Sequence, residues 1–92
     1  MSSIIVSLPG ALRAKVGNRA SVTVAGETVR EIIEALERDF PGLRFNLCYE
    51  TGELRPYVNI FLNRVNIRYM QGLDTPVSMG TSIHIFQSVA GG

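Results

Sequence analysis

The chain has 92 residues, a length that predicts one domain. Hydrophobic residues make up 46% of it, which predicts an ordered core rather than a disordered chain. Nine basic and eight acidic residues leave a net charge of +1, so the composition excludes the strong positive field of a nucleic-acid-binding protein.

One cysteine and one histidine, Cys48 and His84, are too few for a disulfide framework or for a metal site built from thiolates and imidazoles. The first residues, MSSIIVSLPG, lack the basic and long apolar segments of a signal peptide. No apolar run approaches the ~20 residues of a membrane span. We therefore expect a cytoplasmic protein that binds no metal and has neither a membrane nor a nucleic acid as partner.

Two runs of alternating hydrophobicity begin the chain. Residues 4–8 alternate between two faces, and the Pro-Gly pair at 9–10 ends the run. A loop with a Gly-Asn turn signal at 17–18 leads to a second run, in which Val22 and Val24 share a face. These features predict a β-hairpin with a long loop.

A helix is predicted next. Thr28 and Glu31 have the spacing of a capping box, in which a hydroxyl and a carboxylate satisfy free amides at the start of a helix. The Pro-Gly pair at 41–42 ends the helix after about three turns. Its apolar residues form one stripe that predicts packing against a sheet, and they are Val29, Ile32, Ile33, Leu36 and Phe40.

The rest of the chain adds three strands. Residues 43–55 have no clear period and predict a loop with one short helical turn. Alternation returns over 56–62, a short strand is predicted around 65–67, and the last strand covers 82–88. The order of elements predicts an α+β domain of the β-grasp type: a mixed sheet with one main helix on one face and the first and last strands side by side. This single domain spans residues 1–92, with a flexible, protruding tail at 88–92.

Three apolar side chains, Ile5, Phe61 and Phe86, are predicted on the sheet face opposite the helix. They are expected to form one stripe, with His84 at its rim. Because interface cores favour aromatic residues, we predict that this stripe binds a partner. Two alternatives are that residues 43–55 cover it or that a second copy of the chain does. We expect a monomer or a weak homo-oligomer.

The remaining polar residues predict no catalytic site. Glu34, Glu37 and Asp39 are expected on a solvated helix face, and Cys48 is expected to be a half-buried structural cysteine rather than a persulfide carrier. The sequence contains neither a nucleophile–base arrangement nor a phosphate-binding glycine loop. The protein is therefore not expected to be an enzyme by itself.

The sequence ends in VAGG directly after the last predicted strand, and several further blocks share a pattern with one family. These blocks are IIVSLPGALR, GETV, RPYVNIFLN and IRYMQGLDTPV. With them the chain resembles, nearly end to end, the MoaD/ThiS family of ubiquitin-like sulfur carriers. Within that family it is most similar to the CysO type, which shares the arginine before the VNI strand and an arginine–aromatic pair such as Arg68-Tyr69. The VAGG end is also typical of molybdopterin-synthase small subunits.

The resemblance implies a chemistry for the C-terminal residues. The Gly92 carboxylate would be adenylated with ATP by an E1-like activating enzyme of the MoeB/ThiF type, and a sulfur donor would convert it to a thiocarboxylate. Gly91 lacks a Cβ and would let the chain enter a narrow channel. Val89 and Ala90 are expected to contact the partner. The chain itself is expected to bind no cofactor, since ATP and the sulfur donor are used by the activating enzyme.

The resemblance leaves the sulfur-accepting enzyme open. The CysO type implies a pyridoxal-phosphate-dependent synthase that makes cysteine from a phosphorylated serine. The first alternative is the small subunit of molybdopterin synthase. Further alternatives are sulfur supply to a thio-metabolite or a tRNA, and a ubiquitin-like protein modifier. Lys15 is the only lysine, so branched chains built on this protein are not expected.

Overall fold

The computed structural model describes residues 3–88, which form five strands and three α-helices. The strands are β1 (Ser3–Ser7), β2 (Ser21–Ala25), β3 (Val58–Leu62), β4 (Val65–Asn66) and β5 (Ser82–Gln87). The α-helices are α1 (Gly10–Arg13), α2 (Val29–Asp39) and α3 (Leu43–Leu47). Short 3-10 helices occupy Ala14–Val16, Ile67–Tyr69 and Gly72–Asp74.

The five strands make one mixed sheet in the order β2-β1-β5-β3-β4. The first and last strands, β1 and β5, are parallel neighbours, and every other pair is antiparallel. Parallel neighbours need a crossover connection, and α2 lies within that connection. The predicted β-grasp arrangement is therefore confirmed.

Helix α2 begins as the sequence predicts. The Thr28 hydroxyl accepts a hydrogen bond from the backbone N–H of Glu31 at 3.2 Å, and the Glu31 carboxylate accepts one from the backbone N–H of Glu27 at 2.9 Å. The turn into the helix favours a glycine, because a Cβ on Gly26 would lie a tight 3.1 Å from the backbone nitrogen of Ile32. The helix ends at Asp39, just before the Pro-Gly pair at 41–42.

The core lies between α2 and one face of the sheet. Helix α2 buries Val29, Ile32, Ile33, Ala35 and Leu36 there. Burying a residue such as Ile or Leu is worth roughly 1.5–3 kcal/mol relative to leaving it exposed. The sheet and its flanking residues bury eight aliphatic side chains on this side, and these are Ile4, Val6, Leu8, Val22, Val58, Ile60, Ile83 and Ile85.

Two connecting segments contain more helix than loop. Residues 11–19, expected as a loop, include the end of α1 and a 3-10 turn, because Leu12 and Val16 are four residues apart and are both buried on one side. The short helical turn predicted within residues 43–55 is confirmed as α3, where Leu43 and Leu47 are buried at the same spacing.

Candidate functional site

The face of the sheet opposite α2, here called the open face, exposes large apolar side chains. Ile5 and Phe86 are each 53% exposed, and Phe61 is half-buried. Their neighbours in the chain, such as Val6 and Ile85, are buried on the other side of the same strands. Strand alternation therefore places all three predicted residues on the open face.

Three rings on this face form an aromatic cluster, consisting of Phe61, His84 and Phe86. The Phe61 and Phe86 ring centroids are 5.7 Å apart with an interplanar angle of 83°, an edge-to-face contact. The His84 ring stacks on Phe86 with centroids 6.4 Å apart and 16° between the planes. The cluster lies on β3 and β5, where Phe61 pairs with His84 and Asn59 pairs with Phe86.

The register corrects the predicted stripe in two respects. Ile5 pairs with Ser82, four residues before Phe86 and roughly 13 Å from it along β5. His84 is not at the rim, because β5 is the central strand and His84 pairs with Ser7 on one side and Phe61 on the other. The histidine therefore belongs to the cluster, and Ile5 lies beyond it.

Residues 43–55 do not cover the open face, so that alternative is wrong. Helix α3 packs against α2, and Leu43, Leu47 and Cys48 are buried in the core on the other side of the sheet. The segment is held there by an isolated bridge between Cys48 and Leu54. The second alternative, a second copy of the chain, stays a prediction.

The end of β5 is tied to β3 beyond the last strand residue. The backbone N–H of Ser88 donates to the carbonyl of Tyr57 at 2.8 Å, and the Ser88 hydroxyl accepts a hydrogen bond from the Asn59 side chain at 3.3 Å. Ser88 is the last residue that the structure describes. The predicted reacting residues Gly91 and Gly92 and the predicted contacts Val89 and Ala90 lie outside the described residues.

Asn59 is itself held by two further side chains. Its Oδ1 accepts hydrogen bonds from Nη1 of Arg68 at 3.0 Å and from Nδ2 of Asn66 at 3.3 Å. The Arg68 guanidinium also donates to the carbonyls of Val58 at 2.9 Å and Arg55 at 3.3 Å. Sequence reasoning did not assign a function to these side chains. An available signal was the asparagine at position 59, since asparagine is depleted in strands.

Cys48 is more buried than predicted, at 4% exposure. Burial raises the pKa of its thiol, and the nearby charges of Arg44, Arg30 and Arg55 only partly oppose that shift. A raised thiol pKa disfavours the reactive thiolate. These observations support a structural role for this cysteine.

The acidic residues of α2 do not form a catalytic pair. Glu34 and Asp39 are exposed as predicted. Glu37 has a structural role that was not predicted: its carboxylate accepts hydrogen bonds from the backbone N–H groups of Gly42 at 3.1 Å and Arg44 at 3.0 Å. These bonds lower the pKa of Glu37. Glu37 therefore ties the end of α2 to α3.

Residues 3–88 contain neither a membrane-spanning helix nor a metal-binding cluster. No helix in that range is long and apolar enough to cross a membrane. The same residues contain no group of three or more His, Cys, Asp or Glu side chains that could hold a metal ion. Within the described residues, the candidate site therefore consists of the open face and the hydrogen-bonded end of β5.

The family model described as the ThiS family matches residues 6–92. The chain belongs to the ThiS family. The sulfur carrier protein CysO of Mycobacterium tuberculosis is 35% identical over 92 residues, which cover 98% of this chain and 99% of CysO. The predicted membership in the MoaD/ThiS family of ubiquitin-like sulfur carriers, with similarity to the CysO type, is confirmed.

Solved structures agree with this assignment. A chain in the crystal structure of the Amycolatopsis orientalis BexX/CysO complex matches with a TM-score of 0.90 and 35% identity, covering 97% of this chain and 99% of that one. The solution structure of small archaeal modifier protein 1 from Methanosarcina acetivorans matches with a TM-score of 0.83 and 30% identity, covering 100% and 98%. Sulfur carriers of this type are small carriers, not catalysts.

Proposed function

We propose that this ThiS-family carrier delivers sulfur as a C-terminal thiocarboxylate on Gly92. An E1-like activating enzyme of the MoeB/ThiF type would transfer AMP from ATP to the Gly92 carboxylate and release pyrophosphate. Sulfide, or an equivalent sulfur donor, would then displace AMP. The observation that carries this proposal is the 35% identity to CysO over nearly the whole of both chains. We place the reaction in the cytoplasm, where ATP is available.

The aromatic cluster is the proposed docking surface for the activating enzyme and for the sulfur-accepting enzyme. Phe86 is 53% exposed, and burying such a ring against a partner removes apolar surface from water. Phe86 is also two residues before Ser88. The last four residues can extend at most roughly 14 Å from there. A partner bound over Phe61 and Phe86 is therefore within reach of Gly92.

For the sulfur-accepting enzyme we propose a pyridoxal-phosphate-dependent synthase that makes cysteine from a phosphorylated serine. The similarity to the CysO type supports this choice. The BexX/CysO complex of Amycolatopsis orientalis supports the more general point that a carrier of this type binds a second protein. We infer that the complexes are transient, because a carrier must leave one enzyme to reach the next.

A second candidate function is covalent protein modification. The similarity to small archaeal modifier protein 1, at 30% identity over the whole chain, favours it. The same adenylated Gly92 would then be attacked by a lysine amine of a target protein, with AMP as the leaving group and an isopeptide bond as the product. Ladders of conjugates detected with an antibody in the host would support this function.

The test is the intact mass of the carrier after incubation with ATP, sulfide and the host's activating enzyme. We expect a gain equal to the difference between sulfur and oxygen, and no gain for a variant that lacks Gly92. If the mass stays unchanged while the same enzyme preparation converts another carrier, the thiocarboxylate proposal is wrong.

A further inference from the structure

Beside the aromatic cluster, four polar side chains on and next to the open face are linked by hydrogen bonds. They are Asn59, Asn66, Arg68 and Ser88, here called the Asn59 network. Asn59 is at its centre: it accepts from Arg68 at 3.0 Å and from Asn66 at 3.3 Å, and it donates to Ser88 at 3.3 Å. Because Asn59 pairs with Phe86 across β3 and β5, the network borders the proposed docking surface directly.

Arg68 determines which way the Asn59 amide faces. A guanidinium can only donate hydrogen bonds, so the Asn59 atom that faces it must be the oxygen. The amide nitrogen is then left to donate to the Ser88 hydroxyl. Arg68 is fixed in turn by the carbonyls of Val58 and Arg55 at the start of β3. The orientation of Asn59 is thus set by the fold and does not depend on a partner.

Ser88 is therefore held at two points, by the Tyr57 carbonyl through its backbone N–H and by Asn59 through its hydroxyl. With Ser88 held, four residues lead to Gly92 and reach roughly 14 Å at most. If Ser88 were released, five residues would reach roughly 17 Å, and the volume open to Gly92 would about double. Release would also remove the fixed starting direction of the chain.

We infer that Asn59 is a positioning residue for the reaction at Gly92. It holds Ser88 beside the docking surface, so that the residues leading to Gly92 start at a fixed position next to a partner bound to the aromatic cluster. This inference rests on the proposed function and adds to it a residue that acts through its hydrogen bond to Ser88. Fixing the position of Ser88 raises the fraction of docked complexes in which Gly92 reaches the ATP site of the activating enzyme.

The kinetic test uses the full-length carrier as substrate of the host's activating enzyme, with ATP and sulfide as co-substrates and with pyrophosphate release as the readout. The variants are Ser88→Ala, Asn59→Ala and the double variant, and Ser78→Ala is the matched control. The Ser78 hydroxyl lies 3.4 Å from the Thr81 hydroxyl, next to the opposite end of β5. We expect Ser88→Ala to lower kcat by about two- to tenfold with KM changed less than twofold, because docking is intact and only tail placement is lost.

A second expectation concerns coupling. If Asn59 acts through the Ser88 hydroxyl, the double variant should be no slower than Asn59→Ala alone. Ser78→Ala should match the unsubstituted carrier. An unchanged kcat for Ser88→Ala, or a rise in KM without a fall in kcat, would overturn the inference, since the second result would make the network part of the docking contact.

Hydrogen exchange of the Ser88 amide separates this inference from the proposed function. The backbone amide at position 88 donates to the Tyr57 carbonyl, so we expect it to be protected from exchange in the unsubstituted carrier. It should exchange several-fold faster in Ser88→Ala and Asn59→Ala. If the activating enzyme never adenylates the carrier, the proposed function is wrong. If the amide at position 88 is equally protected in all variants, Asn59 does not position Ser88. Adenylation with equal protection refutes only that role.

Discussion

Ile83 and Ile85 lie under α2 on one face of the sheet, whereas His84 and Phe86, their neighbours in the same strand, lie on the face without a helix. Both faces come from the same alternating strand sequences, yet the chain itself buries the apolar side chains of only one of them. The covered face buries aliphatic side chains against the protein's own helix. The open face keeps two phenylalanines and a histidine in contact with one another and with solvent.

The difference separates residues that stabilise the fold from residues that we propose bind a partner. Aliphatic side chains on the covered face need no partner, because α2 and α3 bury them. Aromatic side chains on the open face are only partly buried, because they are covered by one another and not by a helix of the described chain. A protein that binds successive enzymes benefits from such a surface, since the burial that is missing in the free chain is available to each complex.

The largest expected effect contrasts two adjacent residues of β5. Ile85→Asp places a charge at a site that is 2% exposed, and leaving a charge buried and unpaired costs several kcal/mol. A chain of this size has a total stability of about 5–14 kcal/mol. We expect Ile85→Asp to lose most or all of its cooperative thermal unfolding. Phe86→Asp should still unfold cooperatively, with a free energy of unfolding that is lower by about 0.5–1.5 kcal/mol because the ring contact is lost. Circular dichroism with heating measures both, and equal Tm values for the two variants would contradict the contrast between the faces.

The next effect concerns binding through the open face. Phe61→Asp and Phe86→Asp should raise the KM of adenylation by about 30-fold or more, because losing a buried aromatic anchor typically costs at least about 2 kcal/mol. Met79→Asp is the matched control: it alters an exposed apolar residue that belongs neither to the cluster nor to the sheet. Pyrophosphate release at varied carrier concentration gives the KM. Unchanged KM values for both phenylalanine variants would refute the docking surface.

The smallest effect tests how the covering helices are joined. The lowered pKa of Glu37 means that its carboxylate stabilises the folded state above the ordinary pKa of glutamate, and that this stabilisation is lost as the pH falls through the lowered value. We therefore expect Glu37→Gln to reduce Tm at pH 7. The difference in Tm between Glu37→Gln and the unsubstituted protein should become smaller below about pH 4.3.

Glu34→Gln, on the exposed side of the same helix, is the matched control for this comparison. Its Tm should follow the unsubstituted protein more closely at pH 7. A constant gap between Glu37→Gln and the unsubstituted protein from pH 7 to pH 3 would show that the hydrogen bonds to Gly42 and Arg44 do not depend on the carboxylate charge.

Local patterns predicted most of the fold. The capping residues Thr28 and Glu31 indicated where α2 begins, and strand alternation indicated which residues α2 covers. The short helix α1 was missed, because four residues are too few to show a helical period. The register between β1 and β5 was also missed. It depends on pairing between segments more than 70 residues apart in the chain, and alternation within each segment carries no information on that offset.

The sequence by itself determined the family, the order of elements and the face on which each strand residue lies, because periods of two and 3.6 residues are properties of the local chain. The tertiary structure alone decided that His84 is central, that Ile5 lies apart from the aromatic cluster, and that Asn59 meets both Arg68 and Ser88. Those contacts join residues that are far apart in sequence. They exist because β5 is inserted between β1 and β3, and this insertion brings Ser88 beside the polar side chains of β3.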